Sequence, residues 1–167
     1  MSAAKKISYY GIFTALAVVL GFAERLIPQP IAVPGVKLGL ANIMVLIALY
    51  RFDGRTAFGV SVLRIAVTGL LFGGMSAALY SFAGGVFSFT AMYSSKRTNI
   101  FGCIGVSVLG GVAHNLGQIA IACLAVENIK LLYYTPVLIF SGILTGIFTG
   151  TAAYYTALSS FNYSGIS

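Results

Sequence analysis

Between Ile65 and Ser95, and again between Thr98 and Val126, the chain carries no charged side chain. Two further uncharged runs extend from Ile7 to Ala23 and from Leu131 to Ser167. A helix needs about 20 apolar residues to cross the hydrocarbon of a bilayer, so runs of this length prescribe membrane spans. Helices follow rather than a barrel, because the runs are continuous and lack the period-two alternation of lipid-facing strands. Composition agrees. With 59% hydrophobic residues, 8% charged residues and a mean hydropathy of +0.97, the chain has too few charges to coat a soluble domain of 167 residues.

The expected fold is an all-α integral membrane protein, a single transmembrane domain over residues 1–167 built as a bundle of six helices. Turn residues and charges place the spans at about 7–27, 37–50, 56–72, 76–94, 100–125 and 133–158. The first resembles a signal peptide in having Lys5 and Lys6 ahead of an apolar segment. Its apolar part is too long for an h-region, however, and "GFAERLIP" offers no small-residue cleavage site, so it is expected to be retained. Ahead of the short second span, "PQPIAVPG" holds three prolines and cannot be regular helix; a loop or a re-entrant stretch covered by protein is expected. The "GGM" at 73–75 is taken as a break because Ile65 to Ser95 is far too long for one crossing. No soluble domain, linker or low-complexity tail is expected.

Lys5, Lys6, Arg51, Arg55, Lys96 and Arg97 fall on one side of this topology, and only Lys37 and Lys130 on the other. Basic residues favour the inner face, so both termini are expected in the cytoplasm and the chain to be a multi-pass protein of the cell membrane. These anchors explain most of the net charge of +7, which makes the lipid bilayer the expected partner and nucleic acid an unexpected one. Cys103 and Cys123 lie about 30 Å apart along one helix, too far for a disulfide. They show no metal-ligand spacing, and neither metal nor cofactor is expected.

Four charges fall within the membrane or at its edge: Glu24, Arg25, Lys37 and Arg64. Three cations against one carboxylate leave a surplus that an anionic ligand entering from outside would neutralise. The alternative is structural, with Glu24 bridged to Arg64 while Arg25 and Lys37 snorkel to head groups. In "GVAHNLGQIA", His114, Asn115 and Gln118 share one broad face of the fifth helix, either lining a cavity or clamping a neighbouring helix. A lone histidine makes neither a metal site nor a nucleophilic triad. In "LYSFAGGVFS", Tyr80, Ser81 and Ser88 offer hydroxyls, although a tyrosine at a span end is also a common interfacial anchor. Gly142, Gly146 and Gly150 form a small-residue ridge, and Gly11 with Ala15 a shorter row; both are expected contacts for a partner helix, within the chain or beyond it.

The chain has one Asp and two Glu. Enzymes that ionise prenyl diphosphates with magnesium need clustered carboxylates, which this sequence cannot assemble. It also lacks the Gly-rich loop with Lys and Ser/Thr that binds nucleotide phosphates. No catalytic residue is assigned, and the protein is not expected to be an enzyme.

With "ERLIPQP", "PGVKLGLANI", "LYSFAGG" and "HNLGQ" in this order, the chain resembles over nearly its whole length the family called heptaprenyl diphosphate synthase component I, or the Gx transporter family. That family is in turn similar to the S components of energy-coupling factor transporters. The resemblance implies a six-helix protein that captures a vitamin-like molecule from outside. It also implies docking of the first helix, here at Gly11 and Ala15, on a coupling subunit that works with two cytoplasmic ATPases. A cavity lined by Glu24, Arg25, Lys37, Asn42, Arg64, Tyr80, Ser81, His114, Asn115 and Gln118 would then bind a small anionic, isoprenoid-related, quinone-related or vitamin-like substrate. The alternative is a non-catalytic membrane subunit of an isoprenoid or quinone biosynthesis complex.

Overall fold

A computed structural model describes residues 3–26 and 39–158. The elements in order are α1 (Ala3–Leu26), α2 (Leu40–Arg51), α3 (Gly54–Thr68), α4 (Gly74–Thr98), α5 (Cys103–Val126) and α6 (Thr135–Ala153). A π-helical turn over Gly69–Gly73 joins α3 to α4, a 3-10 turn over Ile129–Tyr134 leads into α6, and a second π-helical turn, Tyr154–Leu158, continues it. No strand occurs among the described residues. Four segments are long and apolar enough to cross a bilayer: Ile7–Glu24, Gly54–Phe72, Cys103–Val126 and Ile129–Thr156. The all-α membrane bundle expected from the uncharged runs is therefore what the chain forms.

The expected break at 73–75 is a reversal of direction. A β-carbon on Gly69 would lie 2.8 Å from that of Ala78, and one on Gly85 would lie 2.7 Å from Ile65 Cδ1, so α4 folds back along α3. Glycines at both contacts let the two backbones approach. Asp53 in "RFDGR" has a local role, because its carboxylate accepts from Thr56 N at 2.7 Å and caps α3.

Arg55, Lys96 and Arg97 gather at one end of the bundle. Lys96 Nζ donates to the Leu49 carbonyl and stands 4.8 Å from the Tyr50 ring, while Arg97 lies 4.7 Å from the Tyr93 ring. Tyr10 of α1 donates to the Arg55 carbonyl at 3.4 Å on the same level.

The shortest of the six helices is the most enclosed. Ala41, Ile43 and the whole run Val45–Leu49 of α2 are buried, and Leu46 and Leu49 meet Val60 of α3, Met92 of α4, Val106 of α5 and Ala153 of α6 in one core. A helix apolar on every side belongs in such a position. α2 ends at the basic end with Arg51, and its 12 residues, or about 18 Å, reach back well short of the far edge of a hydrocarbon layer about 30 Å thick. Its first turn therefore lies inside the membrane.

In lipid, tight contact and hydrogen bonds replace the hydrophobic drive as the force joining helices. The ridge of Gly142, Gly146 and Gly150 is buried against α5. β-Carbons there would come within 2.8 Å of Val112 Cα, 2.5 Å of Val108 Cα and 2.8 Å of Ser107 Cβ. Of the two alternatives, a partner helix within the chain or beyond it, the ridge takes the first: backbone of α5 fills it. Gly11 and Ala15 are exposed, with nothing within 4 Å of a β-carbon on Gly11.

Candidate functional site

Glu24 of α1, Asn42 of α2 and Arg64 of α3 meet at the start of α2. Gly39, the residue before that helix, has φ 71 and ψ 25, a left-handed conformation that glycine adopts without penalty. Its own turn provides no side-chain cap. Instead Glu24, from near the end of α1, reaches over: Oε1 accepts from Gly39 N at 2.8 Å and Oε2 from Leu40 N at 3.1 Å. Glu24 is 5% exposed, so a buried carboxylate satisfies backbone donors that the membrane interior would otherwise leave bare. The positive end of the α2 dipole favours the same charge.

Arg64, midway along α3, donates from Nη2 to Asn42 Oδ1 at 2.9 Å and lies within the electrostatic reach of Glu24. Its Nε is buried and has no hydrogen-bond partner. Of the charges expected to face a ligand, Glu24 and Arg64 thus meet around the first turn of α2, joined by Asn42. Glu24 serves the amides at the helix start, and Arg64 serves the Asn42 carbonyl oxygen. Lys37 and the side chain of Arg25 lie outside the described residues.

The polar triplet of α5 is divided between two neighbours. Asn115 Nδ2 donates to the Leu138 carbonyl of α6 at 2.8 Å, a buried interhelical clamp. His114 and Gln118 point the other way, against α4, where a β-carbon on Gly84 would lie 2.9 Å from His114 Nδ1 and 2.8 Å from Gln118 Cγ. The single broad face expected from the sequence is split, because α5 is packed between α4 and α6 and successive residues turn by about 100°. Gln118 is 8% exposed and its Oε1 has no hydrogen-bond partner. Tyr80, one turn from Gly84 toward the far end, is half-buried on the same face of α4, and Ser81 is half-buried on the adjacent face that runs down to Gly85.

A small cavity links the start of α2 to the other helices. Gly39 and Asn42, Ser88 and Met92 of α4, Ser107, Gly110 and Gly111 of α5, and Thr145, Gly146 and Thr149 of α6 surround it. Its volume of about 10 Å3 admits roughly one water molecule. Ser107 Oγ and Thr149 Oγ1 bond each other at 2.9 Å along one wall. Ser88 is 1% exposed, and its Oγ has no hydrogen-bond partner. Gly39, Ser107, Thr145 and Thr149 were not expected in a site. The signal available was their spacing: Thr145 and Thr149 each follow a ridge glycine by three residues, which puts hydroxyls beside the closest helix contact.

Among the described residues the arrangement is rich in hydrogen-bond donors and holds one cation, one carboxylate and a dipole end in a low-dielectric interior. Such a set has the chemistry to bind and orient an anionic group; it has no paired carboxylates for proton transfer. Among the described residues no group of three His, Cys, Asp or Glu side chains is placed to hold a metal.

Residues 13–156 match the protein family described as heptaprenyl diphosphate synthase component I. No curated protein and no solved structure matches the chain significantly.

Proposed function

The chain belongs to the heptaprenyl diphosphate synthase component I family, and we propose that it acts there as a substrate-binding membrane subunit of the energy-coupling factor type. It captures a small anionic molecule, isoprenoid-related, quinone-related or vitamin-like, from outside the cell membrane. Uptake is driven by a coupling subunit and two cytoplasmic ATPases. The observation that carries this reading is the start of α2: a helix that begins inside the membrane, with Glu24, Asn42 and Arg64 gathered around its first turn. Buried ionisable groups at membrane depth are costly and are kept where they serve a function. Exposed Gly11 and Ala15 on α1 support docking of that helix on a coupling subunit.

The single Asp and two Glu argue against prenyl transfer by this chain itself. Two of those three carboxylates are engaged in capping helices, Asp53 at α3 and Glu24 at α2, which supports a non-enzymatic role. Co-expression with a coupling subunit and its two ATPases, followed by purification through a tag on this chain, tests the proposal. Recovery of the four-part complex is expected. Its absence under conditions where established S components assemble would overturn the transport reading.

The family description favours a second reading, a non-catalytic membrane subunit of an isoprenoid or quinone biosynthesis complex. The same purification would then recover a soluble prenyl synthase in place of the ATPases.

A further inference from the structure

Glu24 does for α2 what a bound anion does at many helix starts: it accepts the first free N–H groups at the positive end of the dipole. It comes from a different helix, fifteen and sixteen residues earlier in the chain. It also lies two residues before Leu26, the exposed last residue of α1, so releasing it disturbs only the final turn of that helix.

The surroundings hold more donors than one carboxylate uses. Arg64 Nε–H is buried and lacks an acceptor, and the buried Ser88 hydroxyl, also unpartnered, borders the same cavity as Gly39 and Asn42. Glu24 serves the two backbone amides and leaves these two unserved. A tetrahedral oxyanion has the additional oxygen atoms to serve the amides and the guanidinium together, and Arg recognises such groups through several parallel bonds.

We propose that Glu24 is an internal stand-in for a phosphate-type group of the ligand. On binding, that group takes over the Gly39 and Leu40 amides, gains Arg64 Nε, and displaces Glu24 toward the far side of the membrane. The inference rests on the reading that this bundle binds a small anionic molecule, and it narrows that molecule to one bearing a phosphate or diphosphate.

The test is calorimetric titration of inorganic diphosphate into the purified protein in mild detergent, with acetate as the carboxylate control. Wild type is expected to bind diphosphate and to prefer it to acetate. Glu24→Gln removes the competing charge and is expected to bind diphosphate at least tenfold tighter. Glu24→Asp, one methylene shorter, cannot span both amides and is expected to bind severalfold tighter, which keeps the test decisive if Glu24→Gln does not fold. Arg64→Gln is expected to bind at least tenfold more weakly. Equal or weaker binding by both Glu24 variants, or no binding by any of the four proteins, would overturn the proposal. Titration with phosphatidic acid in mixed micelles distinguishes a lipid phosphate from a water-soluble one by which binds at lower concentration, with the same dependence on Glu24 expected of both. Recovery of the transport complex is read separately. Its loss with these affinities intact would overturn the transporter reading alone, and the converse would overturn this proposal alone.

Discussion

Arg64 Nη2 and Asn42 Oδ1, 2.9 Å apart, tie the middle of α3 to the first turn of α2. α2 ends and α3 begins at the basic end, and Arg64 lies ten residues along α3, about 15 Å up the bundle. The short helix and the deep cation thus arrive at a similar depth, and neither position is understandable without the other.

Asn42→Ala removes the side-chain acceptor of that guanidinium. A hydrogen bond to a charged group contributes about 1.5–3 kcal/mol, and the variant is expected to lose stability in that range. Reversible unfolding in mixed micelles measures it. Unchanged stability would mean that the pair is incidental to the fold.

At Gly39 the left-handed backbone makes any side chain costly. Gly39→Ala is expected to destabilise the protein by about 1–3 kcal/mol, read in the same unfolding assay, although space for a β-carbon exists with Asn42 Nδ2 3.7 Å away. The cost is torsional, so Gly39→Asn, which tolerates this region better, should recover part of it.

The ridge on α6 gives a sharp contrast with the row on α1. Gly146→Ala would place a methyl 2.5 Å from Val108 Cα, a backbone atom that cannot swing aside, and is expected to cost about 1–3 kcal/mol as α6 lifts from α5. Gly11→Ala meets open space and should leave stability unchanged within about 0.5 kcal/mol. A reversed order of the two in thermal scans would contradict the packing.

Asn115 and Gln118 should separate in function. Asn115→Ala breaks the bond to Leu138 and is expected to lower stability by about 0.6 kcal/mol, the average for interhelical hydrogen bonds in membranes, and by no more than about 1.7, with ligand affinity preserved. Gln118→Ala breaks no bond at Oε1, which has no hydrogen-bond partner, and is expected to cost less stability than Asn115→Ala while weakening ligand binding. Parallel unfolding and binding titrations distinguish the two.

The six helices and their order were legible because uncharged apolar length is itself the requirement for crossing a bilayer. The expected second span, at 37–50, came close to Leu40–Arg51 because Arg51 and the prolines before Gly35 bracket it. What the pattern could not carry was long-range pairing. Glu24 looks like a span-end charge available to a ligand, and nothing local indicates that it caps a helix fifteen residues later. The three polar residues of α5 read as one face because they cluster in sequence. Only the packing of α4 on one side and α6 on the other assigns Asn115 to structure and leaves His114 and Gln118 against Gly84. The glycine ridge was visible as a contact surface, but the identity of the helix filling it was not.

The most direct test of the account is native mass spectrometry of wild type and Arg64→Ala released from mild detergent. The account predicts one small anionic molecule retained by the wild type, with its occupancy at least tenfold lower in Arg64→Ala, both compared at a temperature where each remains folded. Equal occupancy in the two proteins, or retention of nothing but bulk lipid by the wild type, would contradict a ligand site at the start of α2.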